Sequence, residues 1–325
     1  MKILVAIYSP FSSWCIPDAW LARLQQGFPQ HAFSVAKDDA KALAAIGDVD
    51  IVFGARVNPA QFGAAARLRW IHSHAAGIGG MLFPALVDSG VVLTNSRGLS
   101  AASIGEHTIM VALALLRGLP HAFERQQERQ WAQDEFVDEI RTLRGARVLI
   151  VGLGAIGCEV ARLAAAFGAS VTGIRRRLDA NAPAGVERIA GPADLPRELP
   201  HADVVVIAAP QTVQTVHLIG ARELALMKEG AVLINVSRGK LVDEAALLAA
   251  LQSGRLRGAA LDVFEHEPLD RSSPLWNRKD LIVTPHVSGF FPDYWRDVVD
   301  LFSDNLRRYE AGQPLRNVVD KRAGY

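Results

Sequence analysis

Arg147-Val148-Leu149-Ile150-Val151-Gly152-Leu153-Gly154-Ala155-Ile156-Gly157 is the stretch that decides the fold. Five residues of strand character run straight into three glycines spaced G-x-G-x-x-G, and a helical stretch follows to Phe167. In that context the glycines have separate jobs. Gly152 permits a tight turn, Gly154 lets backbone approach a pyrophosphate, and Gly157 lets the helix pack close to the strand. The helix N-terminus adds unpaired N–H groups and the positive end of its dipole. Gly152, Gly154, Ala155, Ile156 and Gly157 are therefore the candidate pyrophosphate contacts of a dinucleotide site.

Outward from this turn, short apolar runs alternate with alanine-rich helical segments, the pattern of βαβ units and parallel sheets. A first series of strands reads Ile3–Ile7, Ile51–Phe53, Trp70–His72 and Val91–Thr94. A second reads Arg147–Val151, Ser170–Gly173, Asp203–Ala208, Ala231–Asn235, Gly258–Leu261 and Ile282–Thr284. Between them, Ser103-Ile104-Gly105-Glu106 has capping-box spacing. It predicts a helix that runs to Leu116, with Pro120 blocking its continuation. A last helix is expected from about Asp293 to Glu310.

The bulk properties narrow the class. The chain has 325 residues, half of them hydrophobic and 21% charged, enough for two domains with real cores. A net charge of +1 gives no field to draw nucleic acid or a membrane surface. No run of about 18 uncharged apolar residues is present, so no membrane span is expected. Two cysteines, Cys15 and Cys158, are too few for a disulfide framework and suit a reducing cytoplasm.

The cofactor's form is read one strand further on. An acidic residue about 20 positions past the glycines receives the ribose 2′-hydroxyl of NAD. Here that place holds Arg175, followed by Arg176 and Arg177. A guanidinium grips a 2′-phosphate that a carboxylate would repel. Arg175 and Arg176 predict a preference for NADP, with NAD as the alternative.

In open α/β sheets ligands sit beyond the carboxyl ends of the strands. Three strands of the second series end in polar residues: Arg238 after Ala231–Asn235, Asp262, Glu265 and Glu267 after Gly258–Leu261, and His286 after Ile282–Thr284. A forked cation, a carboxylate and a histidine are the parts needed to reduce a 2-keto acid. The cation holds the substrate carboxylate, the histidine protonates the oxygen, and the carboxylate favours the charged ring.

On Gly152–Gly157, His201–Pro210, Asn235–Gly239, Leu261–Pro268 and Thr284–Gly289, the chain resembles the D-isomer-specific 2-hydroxyacid dehydrogenase family along essentially its whole length. The resemblance implies two doubly wound parallel-sheet domains flanking a cleft. A Rossmann-type dinucleotide domain, residues 101–287, is inserted in a flavodoxin-like substrate domain, residues 1–100 plus 288–325. It implies that Arg238 binds substrate, His286 moves the proton and Glu267 assists it, since Glu267 directly precedes Pro268. It implies that Asp262 holds the nicotinamide amide and that Pro210, Thr212, Val236 and Gly289 line the cofactor. The backbone of Ala76 and Gly77, within Ser73–Gly80, is implied as the carboxylate-binding loop. There Ala75 and Gly79 replace side chains that relatives often carry.

The expected activity is NADPH-dependent reduction of glyoxylate, hydroxypyruvate or a similar 2-keto acid by a homodimer. Relatives with a C-terminal regulatory domain need more chain than follows here. A dinucleotide-sensing protein of the corepressor type is the alternative. His72 and His74 share a strand but lack a third ligand, so no metal is expected. His266 reads as a solvated turn residue. Trp14, Arg56 and Arg97 follow early strands and are candidates for substrate contacts. Trp131 is a candidate to close a neighbouring subunit's pocket.

Overall fold

The computed structural model describes residues 1–178 and 181–324. Tyr325, the last residue of the expected substrate domain, lies outside the described residues. Among those described, twelve strands form two wholly parallel sheets. The chain divides into two compact units, residues 1–99 with 291–325, and residues 100–290.

The first unit holds β1 (Lys2–Ala6), β2 (Ala32–Val35), β3 (Ile51–Gly54), β4 (Trp70–Ser73) and β5 (Val92–Asn95), in the order β2-β1-β3-β4-β5. This is the flavodoxin-like winding. The sheet is apolar on both faces because helices cover both. On one face Ile3, Val5, Ile51, Phe53 and Trp70 meet Val298, Phe302 and Leu306 of the helix Tyr294–Glu310. Phe302 stacks on Phe53 at 4.1 Å and on Trp70 at 5.3 Å between ring centroids. The end of the chain thus completes a core begun at its start.

The second unit holds β6 (Arg147–Val151), β7 (Ser170–Ile174), β8 (Arg188–Ala190), β9 (Val204–Ile207), β10 (Ala231–Asn235), β11 (Leu256–Leu261) and β12 (Leu281–Val283). Their order is β12-β11-β10-β9-β6-β7-β8. Strand direction of winding reverses between β6 and β9, which is the ligand-binding switch point of a doubly wound sheet. β6 begins the register, with Val148 opposite both Val171 and Val204.

β2 and β8 have no counterpart in the strands expected from sequence. Each is a short edge strand with mainly exposed or half-exposed residues, so neither shows an apolar run. The helix before β6 also differs from expectation. It spans Ala101–Leu116, starting ahead of Ser103, so the Ser103–Glu106 capping box is not made. The Ser103 hydroxyl instead donates to the Ser100 carbonyl at 3.1 Å. Pro120 does not simply stop the chain. It sits in the first turn of a second helix, Leu119–Gln127, where its missing N–H costs nothing. Gly118, at φ 68°, makes the bend of 64° between the two. Among the described residues no single helix is long and apolar enough to cross a membrane.

Phe302→Ala removes a ring that is 0% exposed from the centre of the first core. We expect it to destabilise the first unit by about 3–5 kcal/mol, read as a lower denaturant midpoint for that unit's transition in urea. An unchanged midpoint would contradict this packing.

Candidate active site

The glycine turn is built as its spacing requires. A Cβ on Gly157 would stand 2.0 Å from the Gly152 carbonyl oxygen, so helix and strand can meet only at glycine. A Cβ on Gly154 would meet nothing within 4 Å, which leaves open space in front of the turn. The helix Ala155–Ala166 follows, and no side chain caps its N-terminus at Gly154. Uncapped N–H groups facing open space suit an anionic diphosphate.

Arg175 follows β7 and is half-buried. Its backbone N–H donates to the Ala190 carbonyl, and its guanidinium donates to the Asn181 carbonyl at 3.3 Å. Burial raises the Cys158 thiol pKa, while the charge of Arg175 acts in the opposite direction. Arg176 and Arg177 are exposed.

After β9 the chain turns at Pro210 and Thr212. The Thr215 hydroxyl donates to the Pro210 carbonyl at 2.8 Å and accepts from the Thr212 N–H at 2.7 Å. Val236, 4% exposed, follows β10 and donates its N–H to the Ile207 carbonyl. Gly289 lies against Ser100, where a Cβ would stand 3.5 Å from its Oγ.

Arg238 is carried two residues beyond Val236. The fully buried Asn235 holds this turn from within, its amide donating to the Arg238 carbonyl at 2.9 Å and accepting from the Ser237 N–H at 3.1 Å. A Cβ at the next residue, Gly239, would stand 1.8 Å from the Phe264 carbonyl carbon. The turn is thus pressed onto the segment that carries Glu267. Desolvation lowers the Arg238 pKa from its ordinary value, and the charge of Glu267 opposes this.

Glu267 Oε1 accepts the Phe264 N–H at 3.0 Å, and Oε2 lies 2.7 Å from His286 Nδ1. Burial acts to raise its pKa. The His286 hydrogen bond and charge, the Phe264 N–H and Arg238 outweigh that, and the carboxyl sits below its usual range. Glu265 faces elsewhere, exchanging N–H and carboxylate bonds with Glu244 at 3.2 and 2.7 Å.

His286 stands at φ 55°, a left-handed conformation that is uncommon outside glycine. Asp262, 1% exposed, explains how it is held. The Asp262 carbonyl accepts the His286 N–H at 2.9 Å. Its carboxylate accepts the Val287 N–H at 2.9 Å, the Ser288 N–H at 3.1 Å and the Thr284 hydroxyl at 2.7 Å. His107 Nε2 lies 3.3 Å from that same hydroxyl. Neither Thr284 nor His107 stands out in sequence. One ends an apolar run, the other lies within a helix, and only the fold brings them together.

The carbonyls of the loop after β4 in the first unit are tied down one after another. Ser96 Oγ donates to Ser73, Tyr294 Oη to His74, Ser73 Oγ to Ala75, and Asn95 Nδ2 to Ala76 at 2.6 Å. Ala76 is exposed in a bend, and Gly77 just after it is half-buried. His72 and His74 are core residues. Burial pushes His72 down to about 3 and His74 to about 4. Thr94 Oγ1 lies 2.7 Å from His72 Nδ1, and Trp295 stacks on His74. Among the described residues no group of three or more metal-ligating side chains occurs. Trp14 packs edge-on to Tyr294, and Arg97 donates to the Val318 carbonyl. Arg56 and His266 are exposed, and Trp131 is 93% exposed.

Residues 109–288 match the model of the D-isomer specific 2-hydroxyacid dehydrogenase NAD binding domain. Glyoxylate/hydroxypyruvate reductase B from Pectobacterium carotovorum is 32% identical over 322 residues, covering 98% of each chain. An NADPH-dependent glyoxylate/hydroxypyruvate reductase from Sinorhizobium meliloti, solved with NADP and sulfate, is 29% identical with a TM-score of 0.86. That match covers 100% of this chain and 99% of the other. A D-isomer specific 2-hydroxyacid dehydrogenase from Xanthobacter autotrophicus, solved with NADPH and MES, is 32% identical with a TM-score of 0.84 and the same coverage. The chain spans about half the length of the first D-3-phosphoglycerate dehydrogenases it matches. The chain belongs to the D-isomer specific 2-hydroxyacid dehydrogenase family.

Asp262→Asn replaces an acceptor that serves three donors with an amide that has one acceptor oxygen. We expect hydrogen exchange at Val287 and Ser288 to accelerate about tenfold or more, one lost buried bond's worth. Unchanged protection at both amides would show that Asp262 does not hold this turn.

Proposed function

We propose that this chain reduces small 2-keto acids, such as glyoxylate or hydroxypyruvate, to D-2-hydroxy acids with NADPH. The observation that carries the reading is the 2.7 Å His286–Glu267 pair with Arg238 on the adjoining turn. The relatives' names support the substrate class, and the Sinorhizobium complex supports the cofactor.

When bound, a reduced nicotinamide supplies the hydride. The glycine turn, through Gly152, Gly154, Ala155, Ile156 and Gly157, receives the pyrophosphate. Pro210, Thr212, Val236, Asp262 and Gly289 are proposed to line the nicotinamide half. Arg238 is proposed to grip the substrate carboxylate and polarise the ketone, a task its planar fork suits. The backbone N–H groups of Ala76 and Gly77 are proposed as further donors to that carboxylate. His286 gives its proton to the ketone oxygen as the carbon is reduced. Glu267 accepts a hydrogen bond from Nδ1–H, which leaves Nε2 as the edge that carries the transferred proton. The products are one C–H bond, one O–H bond and oxidised dinucleotide.

The exposed Met110, Phe167 and Leu119 make an apolar face on the second unit that suits a second copy of the chain. A dimeric mass is expected by light scattering at micromolar concentration, and a monomeric one would refute it.

His286→Ala should lower kcat by 10²–10⁴-fold, the usual worth of positioned proton transfer. Arg238→Lys should also be severely impaired, because a point charge does not replace the fork. Glu267→Gln removes the carboxylate that holds Nδ1, so kcat should fall as well, by roughly tenfold, the worth of one charge-assisted hydrogen bond. Rate–pH profiles with glyoxylate and hydroxypyruvate check all three, and near-normal reduction by the His286 variant would sink the assignment.

For the cofactor, one charge-assisted contact from Arg175 is worth about 1.5–3 kcal/mol, which is roughly tenfold or more in preference for NADPH over NADH. Comparing kcat/KM with each cofactor should show that preference in the wild type and its loss in Arg175→Asp. Equal or better use of NADH by the wild type would overturn it, and an unchanged preference in the variant would shift the role to Arg176.

A further inference from the structure

His107 has no part in the chemistry proposed above. It projects from the second turn of the helix Ala101–Leu116, half-buried, with Nε2 3.3 Å from Thr284 Oγ1. Thr284 Oγ1 in turn lies 2.7 Å from Asp262 Oδ1. Asp262 already accepts a backbone N–H on each oxygen, the pattern of an ionised carboxylate that can only accept. At 2.7 Å the hydroxyl hydrogen must therefore lie on the line from Thr284 to Asp262. A hydroxyl has one hydrogen, so Thr284 presents a lone pair to His107. The histidine nitrogen facing it must then be the protonated one. Each link's direction is dictated by the next, ending at a carboxylate that has no choice.

The far end of the chain is the turn that presents His286. That residue holds a left-handed φ of 55°, and its conformation persists because Asp262 ties down the two following N–H groups. A carboxylate free to rotate would hold them less well. We infer that His107 is a positioning residue: its Nε2–H orients the Thr284 hydroxyl on Asp262 and so steadies the turn carrying His286. Burial lowers the His107 pKa, with Asp262 opposing, which keeps the neutral ring favoured and makes its tautomer a defined quantity. The kinetic part of the inference rests on the proposed proton transfer by His286, while the structural part does not.

The test uses the full chain labelled with ¹⁵N-histidine. At neutral pH the His107 resonances should report the Nε2–H tautomer, and the Nδ1–H form would overturn the inference. Hydrogen exchange at Val287 and Ser288 should accelerate in His107→Leu and in Thr284→Val, and equal protection in both would overturn it. With a 2-keto acid and NADPH, His107→Leu should lose about three- to tenfold in kcat, the worth of one hydrogen bond, with KM for the acid little changed. His107→Gln, whose Nε2 can donate from a similar place, should recover most of the loss. The double variant should lose no more than Thr284→Val alone. A wild-type kcat in His107→Leu, or additive losses that simply follow melting temperature, would refute the positioning role. A wild type that reduces no 2-keto acid would sink the proposed function and leave the tautomer and exchange results to decide this one.

Discussion

The second unit is organised around one buried carboxylate. Asp262 directly follows β11 and accepts three hydrogen bonds from residues just past β12, so it ties the ends of two neighbouring strands together. Without it, His286 would lie on a free turn in an unfavourable backbone conformation. The adjoining turn is fixed by a second device of the same kind, the fully buried Asn235 at the end of β10. Side-chain acceptors and donors at strand ends here do what ladder bonds do within strands. They convert the edge of a sheet into a rigid platform.

Packing supplies the remaining rigidity. Gly239 and Phe264 touch backbone to backbone, with no room for even a methyl group. Because Arg238 precedes that contact and Glu267 follows it closely, the two side chains are set by one rigid junction. The electrostatics of the site follow from this closeness. Glu267 is held below the usual carboxylate range by His286, the Phe264 N–H and Arg238, while burial works against each charge. None of the three can be moved or neutralised without changing the others.

Much of this was legible in the sequence. β6 and β10 have the bounds their apolar runs suggest, because interior strands of a parallel sheet are apolar on both faces. The glycine turn was legible because two of its glycines, Gly152 and Gly157, answer steric demands that no other residue meets. Edge strands β2 and β8 were not, since exposed residues carry no pattern. The Ser103–Glu106 motif misled because its residues fall inside a helix that had already begun. At the site, Arg238, Glu267 and His286 could be picked out as polar residues following strands. The choice between Glu265 and Glu267 could not be made from spacing, and depends on which carboxylate turns toward the histidine. The His107–Thr284 contact joins residues 177 apart, and no local signal foretells it.

The way the chain ends bears on how the protein is made. The ring of Phe302 closes the face formed by Phe53 and Trp70, yet it is translated about 200 residues after the last strand of that sheet. At ordinary synthesis rates the gap is on the order of 10 s or more. During that time the second unit can complete its seven strands, all of which lie within one continuous stretch of chain. The sheet that emerges first is therefore the last to be finished. Until Phe302 arrives, the nascent first unit carries an uncovered aromatic face, the kind of transiently exposed apolar surface that favours aggregation.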